Sequence, residues 1–186
     1  MKKTILSIAL TFAFALGIHA QEKSVNVAES NIHWLGKKVT GQHEGNIALS
    51  SGVLIMENNA LSGGRFVVDM NSMTCTDLEG EYANKLIGHL KSDDFFGTAT
   101  HPEASLVFTS VEAKGEGVYA VTGDFTIKNI THPASFDLTV SENGATAKVV
   151  IDRSKYDIRY GSNSFFDNLG DKAIYNDFEL DVNLKM

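Results

Sequence analysis

The chain has 186 residues, with 16 Lys and Arg against 23 Asp and Glu for a net charge of −7, and a single cysteine. That length suits one domain with its own core. An acidic balance without a basic stripe argues against nucleic acid and against adsorption to anionic head groups, and the lone Cys75 forbids an internal disulfide.

Lys2 and Lys3 precede an apolar run from Ile5 to Ile18 that ends at His19 and Ala20. The run is shorter than the roughly 20 residues a spanning helix needs, and Ala20 is the small residue expected before a cut. Residues 1–20 therefore read as a secretory signal peptide, and residues 21–186 as a single mature domain with no transmembrane segment. The residue after a lipoprotein cut would be Cys, so a lipid-anchored form is not expected. Without Lys2 and Lys3, 14 basic residues face 23 acidic ones, a mature charge of −9.

The mature chain opens on strand patterns at Val25 to Val27, Ile32 to Val39, Ile47 to Met56 and Arg65 to Met70. A bulge is expected near Ser51 and Gly52, and a turn at Gly63 and Gly64. From Thr76 the period changes. Leu78, Tyr82, Leu86 and Leu90, widened by Ile87, form the apolar stripe of an amphipathic helix over about 76–90. Thr76 and Glu79 have capping-box spacing, and Ser92, Asp93 and Asp94 end the helix.

Alternation resumes after Pro102 with Leu106 and Phe108. It is clearest at Tyr119, Val121, Gly123, Phe125 and Ile127, and continues through Ala134, Phe136, Leu138 and Val140, then Ala145, Ala147, Val149 and Ile151. Phe178, Leu180, Val182 and Leu184 form the last strand. Short polar breaks at Asn129 to His132 and Ser141 to Gly144 predict hairpins, hence antiparallel neighbours. The sum is an all-β fold of about eight strands with one main helix. Eight strands are the barrel size that is either filled by side chains or holds one small ligand.

Several segments together resemble the YceI-like family, the lipocalin-like polyisoprenoid-binding proteins of bacteria. They are HWLGKKVTGQHEGNI, LSGGRFVVDMNSM, HLKSDDFFGTATHPEASLVF, VTGDFTIKNITHPASFDL, IDRSKYDIRYGS and FELDVNLKM. The resemblance implies an eight-stranded antiparallel barrel with a helix, a long apolar tunnel, export to the periplasm, and binding of a prenyl-chain lipid or similar amphiphile. It implies no cofactor beyond that lipid, and family members suggest a homodimer. Asn129 stands where the family usually has Gly, a change that a left-handed turn tolerates.

The residues expected to line the tunnel are Phe66, Val68, Met70, Phe108, Tyr119, Val121, Phe125, Phe136, Leu138 and Phe178. The alternating pattern suits a closed core equally well, and only the resemblance favours a tunnel. Trp34 fits either, as a plug at one end. A hydrocarbon site needs no charged anchor: about ten buried carbons at roughly 0.8 kcal/mol each give on the order of 8 kcal/mol, near micromolar before ordering costs.

His89, Asp93 and Arg153 are the candidates for a mouth or head-group contact. His89, His101, His132, Asp93 and Asp94 are chemically able to bind metal, but their spacing matches no metal motif. No G-x-S-x-G or H-E-x-x-H signature occurs, and Ser162 and Ser164 have no recognisable base beside them. Three readings follow from the residues: a non-catalytic lipid carrier or store, a filled-barrel interaction module, and an exported hydrolase.

Overall fold

In a computed structural model, which describes residues 20–186, nine strands and one helix follow one another along the chain. The signal-peptide segment lies outside the described residues, apart from Ala20. The strands are β1 (Ala20–Ser24), β2 (Asn31–Lys38), β3 (Gly41–Glu57), β4 (Ala60–Asp69), β5 (Glu103–Gly115), β6 (Val118–Ile127), β7 (Ile130–Ser141), β8 (Gly144–Asp152) and β9 (Ile174–Lys185), with helix α1 (Gly80–Lys91) between β4 and β5.

All pairings are antiparallel, and the order β3-β2-β9-β8-β7-β6-β5-β4 closes through β3–β4. Eight strands thus form the barrel. The ninth, β1, pairs with Val53–Glu57 of β3, the stretch of that long strand which β2 does not reach. Closure leaves the barrel wall without free edges.

The expected bulge in β3 falls at Ser50, where the register with β4 shifts between Leu49 and Ser51. Two local expectations are corrected. Val25 to Val27 follow the first strand rather than forming it, since β1 ends at Ser24. Gly63 and Gly64 lie inside β4, and the turn is at Asn58 and Asn59, both with positive φ. Those glycines serve close packing: a Cβ on Gly64 would sit 2.8 Å from the Phe108 ring. The β6–β7 hairpin turns at Lys128 and Asn129, with φ of 50° and 61°, so Asn129 adopts the left-handed conformation its substitution for glycine requires.

The helix also departs from expectation at its start. Thr76 accepts no capping bond; its amide and hydroxyl both donate to the Glu44 carbonyl, and the helix begins only at Gly80. Leu78 therefore precedes the helix, and Tyr82 is 74% exposed. The inward stripe is reduced to Leu86, Ile87 and Leu90. Ser92 closes the C-terminus as expected, its hydroxyl donating to the His89 carbonyl at 2.7 Å.

Strand direction places the helix, the β2–β3 turn, the β6–β7 turn and the long β8–β9 connection (residues 153–173) at one end of the barrel. The other end carries the short turns at Asn58–Asn59, Glu116–Gly117 and Glu142–Asn143. Near this second end the core is solid, with Leu54, Leu61 and Met56 buried.

Candidate functional site

Inward side chains of the strands leave a cavity of about 240 Å3 inside the barrel. A water needs roughly 10–15 Å3 of such space, and cavities lined by Leu, Ile and Phe stay dry and take up hydrocarbon. On β9 the lining runs from Ile174 to Leu184, eleven residues or roughly 33 Å of strand at ~3.3 Å per step. The space is therefore long and narrow.

Of the ten residues expected to line a tunnel, Phe66, Val68, Met70, Phe108, Phe125, Phe136, Leu138 and Phe178 border this cavity. The other two are corrected. Val121, 1% exposed, belongs to the solid part of the core. Tyr119 packs there as well, where its hydroxyl accepts a hydrogen bond from the Leu61 amide at 3.3 Å.

A relay of rings crosses the cavity wall. Phe66 and Phe108 have centroids 5.6 Å apart, Phe108 and Phe136 5.9 Å, and Phe125 and Phe136 6.1 Å. Tilted and edge-on contacts of this kind add about 0.5–1.5 kcal/mol each beyond area burial. They also fix the rings, so the free space keeps its shape.

Trp34 lines the cavity rather than plugging an end, and its indole donates to the Thr74 carbonyl. Lining residues that the sequence reading did not single out include Ile47, Leu49, Val149, Leu180 and Val182, which share the alternation already seen. Phe95 and Phe96, on the segment after α1, had no periodic signal; Phe96 meets Phe178 edge-on at 6.2 Å. Leu86 and Leu90 of α1 complete the wall at the helical end.

At that end the lining includes polar and exposed residues of β2, β3 and β9, where β2 and β9 lose register. Gly36 pairs with Phe178 but Lys38 with Ile174, so four residues of β9 are spent against two of β2 and the strands part. Lys37, Lys38, His43, Tyr175 and Asp177 line this rim. Lys37 is ion-paired with Glu179.

Arg153 lies at the same end, 3% exposed and lining the cavity. Its guanidinium donates to the carbonyls of Tyr175 (3.1 Å), Ile158 (2.8 Å) and Ile174 (3.0 Å), and stands 5.5 Å from the Phe95 ring centroid. Burial lowers its pKa, opposed by the nearby Asp152 carboxylate. His89 shares Phe95 as a neighbour at 5.1 Å and Tyr160 at 4.4 Å, and its buried Nε2 has no hydrogen-bond partner among the described residues. The structure thus brings His89 and Arg153 onto one phenyl ring. Asp93 is not with them; it is exposed and absent from the lining.

Among the described residues no group of three or more His, Cys, Asp or Glu is arranged to hold a metal ion. His132 packs on Tyr156 instead, ring centroids 5.5 Å apart. Ser162 is fully buried and donates to Asn176 Oδ1 at 2.7 Å, while Asn176 Nδ2 donates to Ser164. Both serines thus serve a loop clamp.

Comparison with known proteins agrees with this architecture. A UPF0312 protein of Shewanella sp. (strain ANA-3) is 49% identical over 45 residues, 24% of each chain. One from Shewanella denitrificans is 36% identical over 75 residues, 40% of this chain and 37% of that one. The chain thus spans about a quarter to two fifths of the length of these curated relatives.

Among solved structures, BcnA of Burkholderia cenocepacia superposes with a TM-score of 0.70 at 20% identity, covering 86% of this chain and 98% of that one. A polyisoprenoid-binding domain from Saccharophagus degradans gives 0.61 at 17% identity, covering 89% and 97%. These two likenesses show the fold. The YceI-like domain profile matches residues 23–186, nearly the whole of the described barrel, and the chain belongs to the YceI-like domain family.

Proposed function

We propose that this protein is a non-catalytic carrier or store that holds a long apolar lipid of isoprenoid type in its barrel. The observation that carries this reading is the narrow apolar cavity whose lining on β9 runs from Ile174 to Leu184. A filled-barrel interaction module would have no use for that space. The polyisoprenoid-binding domain of Saccharophagus degradans, similar in fold, supports the choice of ligand class.

The chain would enter past the rim at Lys38 and Tyr175, with its polar end near Arg153 and His89 and its hydrocarbon among the phenyl rings. Binding of this kind is driven by apolar burial in a preformed cavity, with few polar contacts to set orientation. The amino-terminal pattern of residues 1–20 supports export, and the periplasm is the proposed compartment.

The test is organic extraction of protein purified from its native host, followed by mass spectrometry. A stoichiometric long-chain isoprenoid or similar lipid is the expected result. Protein free of lipid in repeated native preparations refutes the proposal.

A further inference from the structure

Six of the nine exposed large apolar residues among the described ones lie at the end of the barrel where the cavity opens. Tyr82 belongs to the helix; the other five are Val39 (47% exposed), Tyr160 (46%), Phe165 (40%), Phe166 (49%) and Tyr175 (52%). The turns of the opposite end are Asn58–Asn59, Glu116–Gly117 and Glu142–Asn143, with no such side chain.

These five residues are fixed to the mouth. The Val39 amide donates to the Ala173 carbonyl at 3.1 Å, which ties the β2–β3 turn to the β8–β9 connection. The Ile174 amide donates to Gly161 at 2.8 Å, and the amides of Phe165 and Phe166 donate to Ser162 at 3.1 and 3.0 Å. Ser162 and Ser164 are both bonded to the side chain of Asn176, next to the rim residues Tyr175 and Asp177. The two phenyl rings are thus presented outward by a turn that is clamped beside the opening, and Arg159 lies 5.1 Å over the Phe165 ring.

We infer that this aromatic rim docks on a phospholipid bilayer, so that lipid passes between membrane and cavity without crossing water. The inference rests on the cavity being a lipid site. A chain leaving a bilayer into solution exposes each methylene at a cost in free energy, and contact between mouth and membrane removes that exposure. Tyr is suited to the membrane–water boundary and Phe to burial just beneath it, and long basic side chains keep their charge in water while their stems lie on apolar surface.

Lys38, Lys128, Lys155, Arg159 and Lys172 can do so here, but Asp152, Asp157, Asp167, Asp171 and Asp177 match them in number at this end, and Arg159 is paired with Asp157. No basic excess exists to make adsorption electrostatic, so zwitterionic lipid suffices and salt has little effect. A second copy of the chain is the weaker occupant, because the core of a homodimer interface is depleted of charge, whereas Lys172, Asp167 and Asp171 are interspersed among these apolar side chains.

The test is co-sedimentation of protein freed of lipid with phosphatidylcholine vesicles, alongside uptake of a water-soluble apolar fluorescent dye by the emptied cavity. The double variant Phe165→Ser/Phe166→Ser is expected to lose about tenfold or more in vesicle partitioning while retaining dye uptake. The variant Ala147→Phe, which fills the cavity, is expected to lose the dye and keep the vesicles.

Wild-type protein that takes up dye but stays in the supernatant overturns the docking surface and leaves the cavity reading intact. Equal sedimentation of wild type and double variant overturns it too. Wild-type protein that sediments but takes up no dye refutes the cavity reading, while loss of sedimentation in the double variant still supports the surface. Dissociation of a dimer by the double substitution, with vesicle binding unchanged, assigns the patch to a second copy instead.

Discussion

The indole Nε1 of Trp34 donates to the carbonyl oxygen of Thr74 at 3.0 Å across 40 positions of sequence, and so ties the β2 wall to the connection that leads into α1. Gly45 makes the approach possible, since a Cβ there would lie 1.9 Å from the same oxygen and 2.8 Å from the Trp34 ring. Two substitutions separate the bond from the space it needs. Trp34→Phe removes the donor and some ring volume, and is expected to cost about 1–3 kcal/mol. Gly45→Ala must push the backbone of the connection away and is expected to cost about 3 kcal/mol or more. Urea unfolding measures both. A Gly45→Ala protein as stable as wild type would show that the connection does not need to lie against β3.

Arg153 is a buried cation held by three carbonyl oxygens rather than by a carboxylate in contact. Its acceptors lie on both sides of the β8–β9 connection, at Ile158 and at Ile174 and Tyr175, so the guanidinium staples that segment shut. Lysine cannot span three acceptors in this fork geometry. Arg153→Lys and Arg153→Met are therefore both expected to destabilise by about 2–4 kcal/mol. The amide of Ile174, bonded to Gly161, should exchange faster with solvent in both. If Arg153→Lys retained wild-type stability and exchange, the staple would be refuted.

Much of this fold is legible because a half-buried antiparallel strand writes its two faces into alternate residues, as in Tyr119 to Ile127 and Phe178 to Leu184. What fails is what the pattern leaves degenerate. Gly63 and Gly64 signal a turn and close packing with the same letter, and only the position of Phe108 decides between them. Thr76 has the spacing of a cap, yet the edge of β3 competes for its hydroxyl and wins through Glu44. Val121 and Phe125 stand on the same face of β6, but one meets solid core and the other free space, a difference set by strands far away in sequence. The rim arises where β2 and β9 lose register, a tertiary event with no local signal at Lys38 or Tyr175.

None of the residues of α1 is fully buried, and the helix is held by Leu86, Ile87 and Leu90, by its ends, and by the Lys91 ammonium on the Asn71 carbonyl at 2.7 Å. Segments with few buried apolar contacts open at lower free energy than the strands around them. Amides of α1 are thus expected to lose protection well before those of β6 to β9 in hydrogen exchange. Gly88 offers a way to shift that balance, because a Cβ there meets nothing within 4 Å. Gly88→Ala is expected to slow exchange in α1 by the equivalent of about 0.5–1 kcal/mol. Exchange in α1 as slow as in β6 would contradict this view of the helix.

Asp77 holds the same connection at its other point of attachment to β3. Its carboxylate accepts from the Glu44 amide at 3.0 Å and from Cys75 Sγ at 3.2 Å, and lies 2.8 Å from His43 Nδ1. Burial alone would raise its pKa, but the bonds from Glu44, His43 and Cys75 outweigh it and bring the group from 3.8 down to about 2. A carboxylate with a lowered folded pKa stabilises fully above its unfolded value, and that contribution is lost as pH falls through the folded value. The window here is pH 4 to 2. Asp77→Asn should cost about 1–2 kcal/mol near neutrality, and the gap between variant and wild type should close as the pH drops across that window. Urea midpoints taken from pH 6 to pH 2 measure it. A gap that stays constant to pH 2 would mean that the charge on Asp77 does not carry the attachment.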